Sequence, residues 1–572
     1  MSMTRRVVPV ALRDVPSAVA TAPPRPAHVE PVRITHLAEK IGARVIDVPG
    51  HNPGSGVVTG ATLRAQHVLG GDLFAALPGT RVHGADFAAE ALGAGAAAVL
   101  TDQAGIDRVA LLDHPRVRSG EVALLVHDDP RGVLGSAAAE IYGDPSSRLQ
   151  VLGVTGTSGK TTTSYLLESA LRAAGHVTGL VGTVETRIAG ERLESAFTTP
   201  EAPDLQALLA VMVEAGVTHV PMEVSSHALA LSRVGGTKFA VGAFTNLSQD
   251  HLDFHRDLED YFQAKALLFD GRSEREVVCV DTEWGARLAA KPGTITVATT
   301  TTEADWTASG VETFPTGEQR FRAHGPGGDL HVRLRLPGPF NVANALLAAG
   351  VLRAAGIPDE AIEHGLAEVD VPGRMERVAL GQDFTAVVDY SHKPGAVAAV
   401  LDAARAQADG ARVLVVLGCG GDRDVAKRPL MGEAAARRSD LLVVTDDNPR
   451  SEDPAEVRAA MLAGAEEVPA AERGELLEIG DRREAIRAAI DRARSGDVVV
   501  VAGKGHETGQ EIAGVVHPFS DRDEVAEALR LRAETDPAGR GPAPGGAARP
   551  GWQEPGEPRH PAAGRDGNEE AR

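Results

Sequence analysis

Apolar and polar positions along the chain fall into two alternating patterns. Short runs rich in β-branched residues recur: VLGVTG at 151–156, THVPMEV at 218–224, ARVLVVLGCG at 411–420, LLVVTDD at 441–447 and VVVVAGKG at 498–505. Between them lie Ala/Leu/Glu/Arg stretches of helical spacing, such as TTTSYLLESALRAAG at 161–175. Strand-sized apolar runs separated by helical ones predict α/β domains with largely parallel sheets. Functional loops in such sheets gather at the carboxyl ends of the strands. The pattern places an N-terminal domain at about 32–147, a central domain at about 148–373 that opens with VLGVTG, and a C-terminal domain at about 374–535. Residues 1–31, rich in Pro, Ala and Val without period, and 536–572, rich in Gly, Pro and charge with almost nothing to bury, are expected to be disordered.

Length agrees with several domains, because 572 residues exceed what one core organises. An apolar content of 43% and a charged content of 24% are those of a soluble globular protein. No run of about 18 apolar residues offers a membrane span. The opening MSMTRRVVPVALRDVP has paired arginines, but its apolar stretch is short, contains Pro9 and ends at Arg13 and Asp14, so it reads as an extension rather than a signal peptide. Two cysteines, Cys279 and Cys419, lie in separate apolar segments and make no disulfide framework, which points to a reducing compartment, the cytoplasm. Lysine and arginine number 58 against 79 acids, a net charge of −21, which argues against a nucleic-acid partner. Anionic ligands must therefore be held by local arrangements of amides, Lys and Arg.

One such arrangement is Gly153-Val-Thr-Gly156-Thr157-Ser158-Gly159-Lys160-Thr161-Thr162, which follows an apolar strand and precedes a helical run. Glycines let backbone amides close around phosphate oxygens, a helix N-terminus favours negative charge, Lys160 can reach terminal phosphates and Thr161 can ligate Mg²⁺. This is an ATP site, although Val154 stands where the usual P-loop pattern has its first glycine. Glu223, at the end of THVPMEV, could hold a cation beside the phosphates or be a surface acid. The cluster Asn246-Leu-Ser-Gln-Asp250-His251-Leu-Asp253-Phe-His255 suggests a metal site without the spacing of a zinc centre, and Lys265 alone reads as a solvated helix lysine.

The compact GTSGKT and the segments that follow it in order resemble the Mur ligase family and the related folylpolyglutamate synthases, over about 58–525. The resemblance implies a three-domain α/β architecture with a central P-loop-type ATPase domain and a Rossmann-like C-terminal domain. It implies that Lys160, Glu223, His251 and Lys265 are catalytic, and that Thr161, Glu223, His251 and Lys265 hold Mg²⁺. Lys265 would do so as a carbamate formed with CO₂. Asn344, in LPGPFNVANA, would contact adenine; Arg374, in VPGRME, and Asp389, in VDYSHKP, would reach over the nucleotide from the third domain. Together with Gly156, Thr157, Ser158, Gly159, Lys160, Thr161 and Thr162 they form the implied ATP site.

Three C-terminal motifs, Gly418-Cys-Gly-Gly-Asp-Arg423-Asp424, Asp447-Asn448-Pro449-Arg450 and Gly503-Lys-Gly-His506-Glu507, each end an apolar run and should meet at one sheet edge. Diaminopimelate carries two ammonium groups and two carboxylates, and arginine pairs bidentately with carboxylates. Alone DNPR reads as a turn, but the three motifs together resemble the diaminopimelate-adding branch of the family, whose lysine-adding relatives lack the final arginine. Arg423, Asp447, Asn448, Pro449, Arg450, Gly503 and Glu507 are the implied amino-acid site. For the UDP-linked muramoyl dipeptide the matching positions are Leu63, Ala65, Thr198, Thr199, Ser225 and Arg233. Here Arg64-Ala65-Gln66 replaces the common Asp-Ser-Arg, so backbone or neighbouring groups must do the serine's work, and Leu231 stands where a glutamine is often found.

The activity so implied is a step of peptidoglycan precursor synthesis. ATP phosphorylates the D-glutamate γ-carboxylate of UDP-N-acetylmuramoyl-L-alanyl-D-glutamate, an amine of 2,6-diaminopimelate attacks the acyl phosphate, and phosphate leaves. The chain is expected to act as a monomer. A folylpolyglutamate synthase would share the ATP machinery but has no use for all three C-terminal motifs. A P-loop switch would hydrolyse ATP without ligating anything.

Overall fold

The computed structural model describes residues 23–46, 56–79, 81–108, 114–193, 197–252, 254–314 and 316–535. The expected disorder of 1–22 and 536–572 therefore lies outside the described residues. Residues 23–31, expected to continue that extension, instead lie against the folded chain. Arg25 Nη1 is 2.6 Å from Oδ1 of the buried Asp72, and the amides of Ala27 and His28 donate to Glu214 at 2.9 and 3.1 Å. A buried carboxylate needs a partner of opposite charge, and the composition of 1–31 carried no sign of that requirement.

Among the described residues three large sheets are built in succession along the chain, beside two two-stranded ribbons, Val32–Arg33 with Val57–Val58 and Gly509–Ile512 with Val515–Pro518. The first has five strands in the order Arg44–Val45, Ala123–Val126, Ala98–Thr101, Asp72–Ala75, Gly60–Thr62, all parallel except the first. The second has eleven strands. Seven run parallel in the order Gly179–Val181, His219–Glu223, Gln150–Thr155, Phe239–Phe244, Ser273–Cys279, Ile295–Ala298, Trp306–Thr313. Antiparallel hairpin strands extend it at both ends, Thr186–Ile188 with Glu191–Leu193 and Gln319–His324 with Leu330–Leu334. These hairpins carry alternating polar positions and exposed edges, which a parallel strand covered on both faces cannot. The third sheet orders Glu376–Arg377, Thr385–Asp389, Val498–Ala502, Val413–Cys419, Leu441–Asp446 and Glu475–Glu478, parallel except for the first strand. Every residue of Val413–Cys419 and Val498–Ala502 is buried, as their unbroken apolar character requires.

The strand Gln150–Thr155 sits inside the central sheet, with His219–Glu223 on one side and Phe239–Phe244 on the other. The chain leaves it in one direction and later returns on the other, so a crevice opens at its carboxyl end. The following helix, Lys160–Ala173, buries Tyr165, Leu166, Leu167, Ala170 and Leu171 in a core shared with the helix Pro339–Ala354. The N-terminal and central domains touch closely: a Cβ on Gly135 would come within 2.3 Å of Gly235 O.

In the C-terminal domain, Arg482 and Asp521 are both fully buried and joined by two hydrogen bonds of 2.7 Å, while Arg482 also donates to Ala502 O at 2.9 Å. That arginine fixes the end of the strand from which the Gly503–Glu507 loop departs. Arg482→Met should lower unfolding free energy by about 3–5 kcal/mol, because Asp521 is left charged and unpaired. Urea unfolding checks this, and adding Asp521→Leu should recover much of the loss.

Candidate active site

At the end of Gln150–Thr155 the backbone turns through Gly156, at φ 147°, and Gly159, at φ 90°. Both angles lie where side chains are strained, and neither position has room for one. A Cβ on Gly156 would fall 1.8 Å from Thr245 Oγ1, and one on Gly159 would fall 2.3 Å from Asn344 Oδ1. Side chains from distant strands shape the loop: Ser158 N donates to Asn246 Oδ1 at 3.1 Å, and Thr245 Oγ1 to Ser158 O at 2.6 Å. No side chain caps the helix that begins at Lys160, so its first amides stay open to an anion.

Two lysines converge on one carbonyl of this loop. Lys160 Nζ donates to Gly156 O at 2.9 Å and Thr157 O at 3.0 Å, and Lys265 Nζ donates to Gly156 O at 2.8 Å. Lys265, on the helix Leu258–Ala266, is 1% exposed and lies 4.4 Å from the Tyr261 ring. Burial, with Lys393 and Arg374 nearby, lowers the Lys160 pKa to about 8 against the pull of Glu223 and Asp250. Burial beside Lys160 and Lys393 holds Lys265 well below the ordinary lysine value.

Glu223 ends its strand buried, and its carboxylate accepts from Thr183 N at 2.9 Å and Thr183 Oγ1 at 3.0 Å. A buried carboxylate bonded by neutral donors and near enough to act on the charge of Lys160 suits a hard cation shared with phosphate. Thr161 adds a buried hydroxyl. His251 is half exposed, with a backbone φ of 52°, and its Nε2 is 3.0 Å from Asp250 Oδ2. Among the described residues no group of three His, Cys, Asp or Glu side chains gathers as a metal centre. A cation here would thus take much of its coordination from phosphate oxygens or a modified side chain.

From the third domain Arg374 reaches in: Nη2 donates to Thr161 Oγ1 at 3.4 Å and the guanidinium stacks 4.4 Å from the Tyr390 ring centroid. Tyr390 lies 5.0 Å from the His506 ring, and Gly373 is pressed against the Gly505–His506 backbone. The nucleotide-side arginine and the Gly503–Glu507 loop therefore share one surface.

That loop meets the other two C-terminal motifs. Asn448 Nδ2 donates to Glu507 Oε2 at 2.9 Å, and Lys504, fully buried, bonds Asn448 Oδ1 at 3.0 Å and Glu507 Oε2 at 2.9 Å. Asp447 is buried beside Gly503, whose Cβ would lie 2.6 Å from its Oδ2. Arg450, at φ 54°, donates through Nη1 to Gly421 O at 2.6 Å and places Nε 3.4 Å from Glu511. Pro449 is buried, whereas Arg423 is exposed on the loop above them.

Family models match most of the chain: the Mur ligase family catalytic domain at 57–142, the Mur ligase middle domain at 154–352 and the Mur ligase glutamate ligase domain at 373–505. The chain belongs to the Mur ligase family. It is 54% identical, over 89% of its length and 97% of the relative's, to UDP-N-acetylmuramoyl-L-alanyl-D-glutamate--2,6-diaminopimelate ligase of Corynebacterium efficiens. It is 52% identical, over 89% and 98%, to the protein of the same name from Streptomyces avermitilis. A solved structure of a ligase of that name, 30% identical, superposes with a TM-score of 0.62 over 88% of this chain and 99% of its own. This Mur ligase is an ATP-dependent amide-bond ligase, and Mg²⁺ belongs to the family's chemistry.

Within this Mur ligase several expected residues take places that their motifs did not foretell. Asn344 bonds Asn341 at 3.1 Å and packs on Gly159, so it braces the phosphate loop. Asp389 is buried and accepts from Met375 N, Ser391 N and Ser391 Oγ, which ties the backbone next to Arg374 to the end of its strand. Ala65 is 4% exposed in an apolar cluster with Val68, Phe74 and Ala85, and the half-buried Leu63 packs on the neighbouring core, which leaves backbone groups there for a ligand. Thr198, Thr199, Ser225 and Arg233 do come together. Thr198 Oγ1 is 3.0 Å from Thr183 Oγ1, Thr199 Oγ1 donates to Glu223 O and accepts from Ser225 N, and Arg233 donates to Thr199 O. Sequence reasoning passed over Thr183, Lys393 and Lys504, and took Asp250 only as part of a possible metal cluster. Of the residues passed over only the two lysines carried a signal, each following the carboxyl end of an apolar strand.

The Lys160 ammonium that a triphosphate needs exists in the free protein below about pH 8 and is lost above it. Affinity for ATP should therefore fall by roughly tenfold per pH unit above that value. Lys160→Arg, whose guanidinium stays charged, should remove the break. Titration calorimetry on either side of the transition checks both.

Proposed function

We propose that this Mur ligase joins 2,6-diaminopimelate to the D-glutamate of UDP-N-acetylmuramoyl-L-alanyl-D-glutamate, in the cytoplasm, as a step of peptidoglycan precursor synthesis. The observation that carries the reading is the junction of Asp447, Asn448, Arg450, Lys504 and Glu507 at one sheet edge, in a chain 54% identical to a ligase of that name. Carboxylates there suit the ammonium of an amino acid, and Arg450 suits a second carboxylate.

The chain's own groups divide the work. The open amides at the start of Lys160–Ala173 and the Lys160 ammonium bind the terminal phosphates, and Arg374 covers them from the third domain. Thr198, Thr199, Ser225 and Arg233 orient the muramoyl dipeptide so that its γ-carboxylate meets the γ-phosphate in line. Thr161, Glu223 and His251 would hold Mg²⁺, which neutralises charge on the phosphates when bound. Lys265 is the group best prepared for CO₂. Its buried amine, with a strongly lowered pKa, attacks CO₂, loses a proton and becomes a carbamate, so that a neutral amine is replaced by an anion next to Lys160. Once the acyl phosphate has formed, Asp447 and Glu507 orient the amine that attacks it, and phosphate leaves.

With the UDP-linked dipeptide and ATP, product of the mass expected for diaminopimelate addition should appear, and ADP should accumulate only when both acceptor and amino acid are present. ATP turnover without either would favour a hydrolytic switch instead. Arg450→Ala should lower kcat/KM for diaminopimelate by about 2–5 kcal/mol, roughly thirtyfold or more, and alter lysine far less. An unchanged ratio between the two amino acids would show that Arg450 serves only the turn at Gly421.

A further inference from the structure

The C-terminal domain is held on the central domain by an ion pair between Lys393 of the VDYSHKP segment and Asp250, to neither of which a ligand contact has been assigned. Lys393 stands in extended conformation just before the helix Pro394–Ala408. Its Nζ lies 2.5 Å from Oδ2 of Asp250, and each side chain is only 16% exposed. Lysine and aspartate are seldom so covered unless paired. The same Oδ2 is 3.0 Å from His251 Nε2, so one carboxylate oxygen joins a residue of the third domain to the imidazole of the metal loop. That loop is sharply folded: His251 has φ 52°, and its carbonyl accepts from the amides of Phe254 and His255 at 3.1 and 2.8 Å. A non-glycine residue holds such a backbone only where its surroundings fix it.

We propose that Lys393 is a positioning residue, which seats the C-terminal domain on the central domain through Asp250 and thereby sets the orientation of His251. The proposal rests on the ligase reading above, in which the C-terminal domain carries the amine and the central domain the acyl group. Neither reactant touches Lys393 in this scheme; the pair fixes the distance between them. Its loss should act on the joining step, where a displacement of about 1 Å costs on the order of a hundredfold, more than on the binding of either substrate alone.

The test uses the full chain with Lys393→Met, Lys393→Arg, Asp250→Asn and the double variant Lys393→Met/Asp250→Asn. Spin labels at the exposed positions 274 and 456 report the separation of the two domains with ATP analogue and Mg²⁺ bound, the native cysteines being buried. Lys393→Met should widen the distance distribution and lower kcat for ligation by about a hundredfold, with a much smaller change in ATP affinity. Lys393→Arg should restore both readings. The double variant should be no worse than the poorer single variant, since the two residues act as one unit. A narrow wild-type distribution in Lys393→Met, or losses that multiply in the double variant, would overturn the proposal. Because the distance measurement needs no turnover, it reports on the ion pair even if the wild-type protein fails to join diaminopimelate, an outcome that would fall on the ligase reading alone.

Discussion

Two buried amines on one carbonyl set the terms for the rest of this site. Lys160 and Lys265 both donate to Gly156 O, at 2.9 and 2.8 Å, and two desolvated ammonium groups that close repel each other strongly. The conflict divides their roles. Lys160 keeps its proton up to about pH 8 and can serve polyphosphate, whereas Lys265, the more deeply affected, gives up its charge first. The glycines at 156 and 159 follow from the same constraint, because side chains there would collide with Thr245 and Asn344, which shape the loop. So does Glu223, whose carboxylate supplies negative charge within reach of Lys160 while its hydrogen bonds come from neutral groups.

The nucleotide site and the amino-acid pocket are linked by contact rather than by chain order. Arg374 touches Thr161 on one side and the Tyr390 ring on the other; Tyr390 packs on His506, and Gly373 lies against the same loop. Under the proposed assignment, a movement of the C-terminal domain would carry Arg374 and the Gly503–Glu507 loop together. Asp389 ties this region to the third sheet, its two carboxylate oxygens accepting from the amides of Met375 and Ser391.

Much of this was legible in the sequence wherever the chemistry is contiguous. The strand, glycine loop, Lys160 and helix are consecutive, so the local rule and the tertiary site coincide. The three C-terminal motifs each end a buried parallel strand, and adjacency of those strands brought Asn448, Lys504 and Glu507 into contact. What stayed hidden depends on partners far apart in the chain. Lys265 looks like a solvated helix lysine until the loop carrying Gly156 is brought within 2.8 Å of its amine. Asp250 gives no sign of Lys393, nor Glu223 of Thr183 or Asp72 of Arg25. Asn344 and Asp389 were recognisable as special, but their bonds to Asn341, Met375 and Ser391 follow from the fold, not from their motifs.

The central claim is that Lys265 is a neutral, buried amine placed to become an anion beside Lys160. Carbon-13 magnetic resonance of the protein equilibrated with ¹³C-bicarbonate tests it most directly. A single carbamate resonance should be present in the wild-type protein and in Lys160→Arg, absent in Lys265→Ala and lost on acidification. Its absence from the wild-type spectrum, or its persistence in Lys265→Ala, would contradict the account.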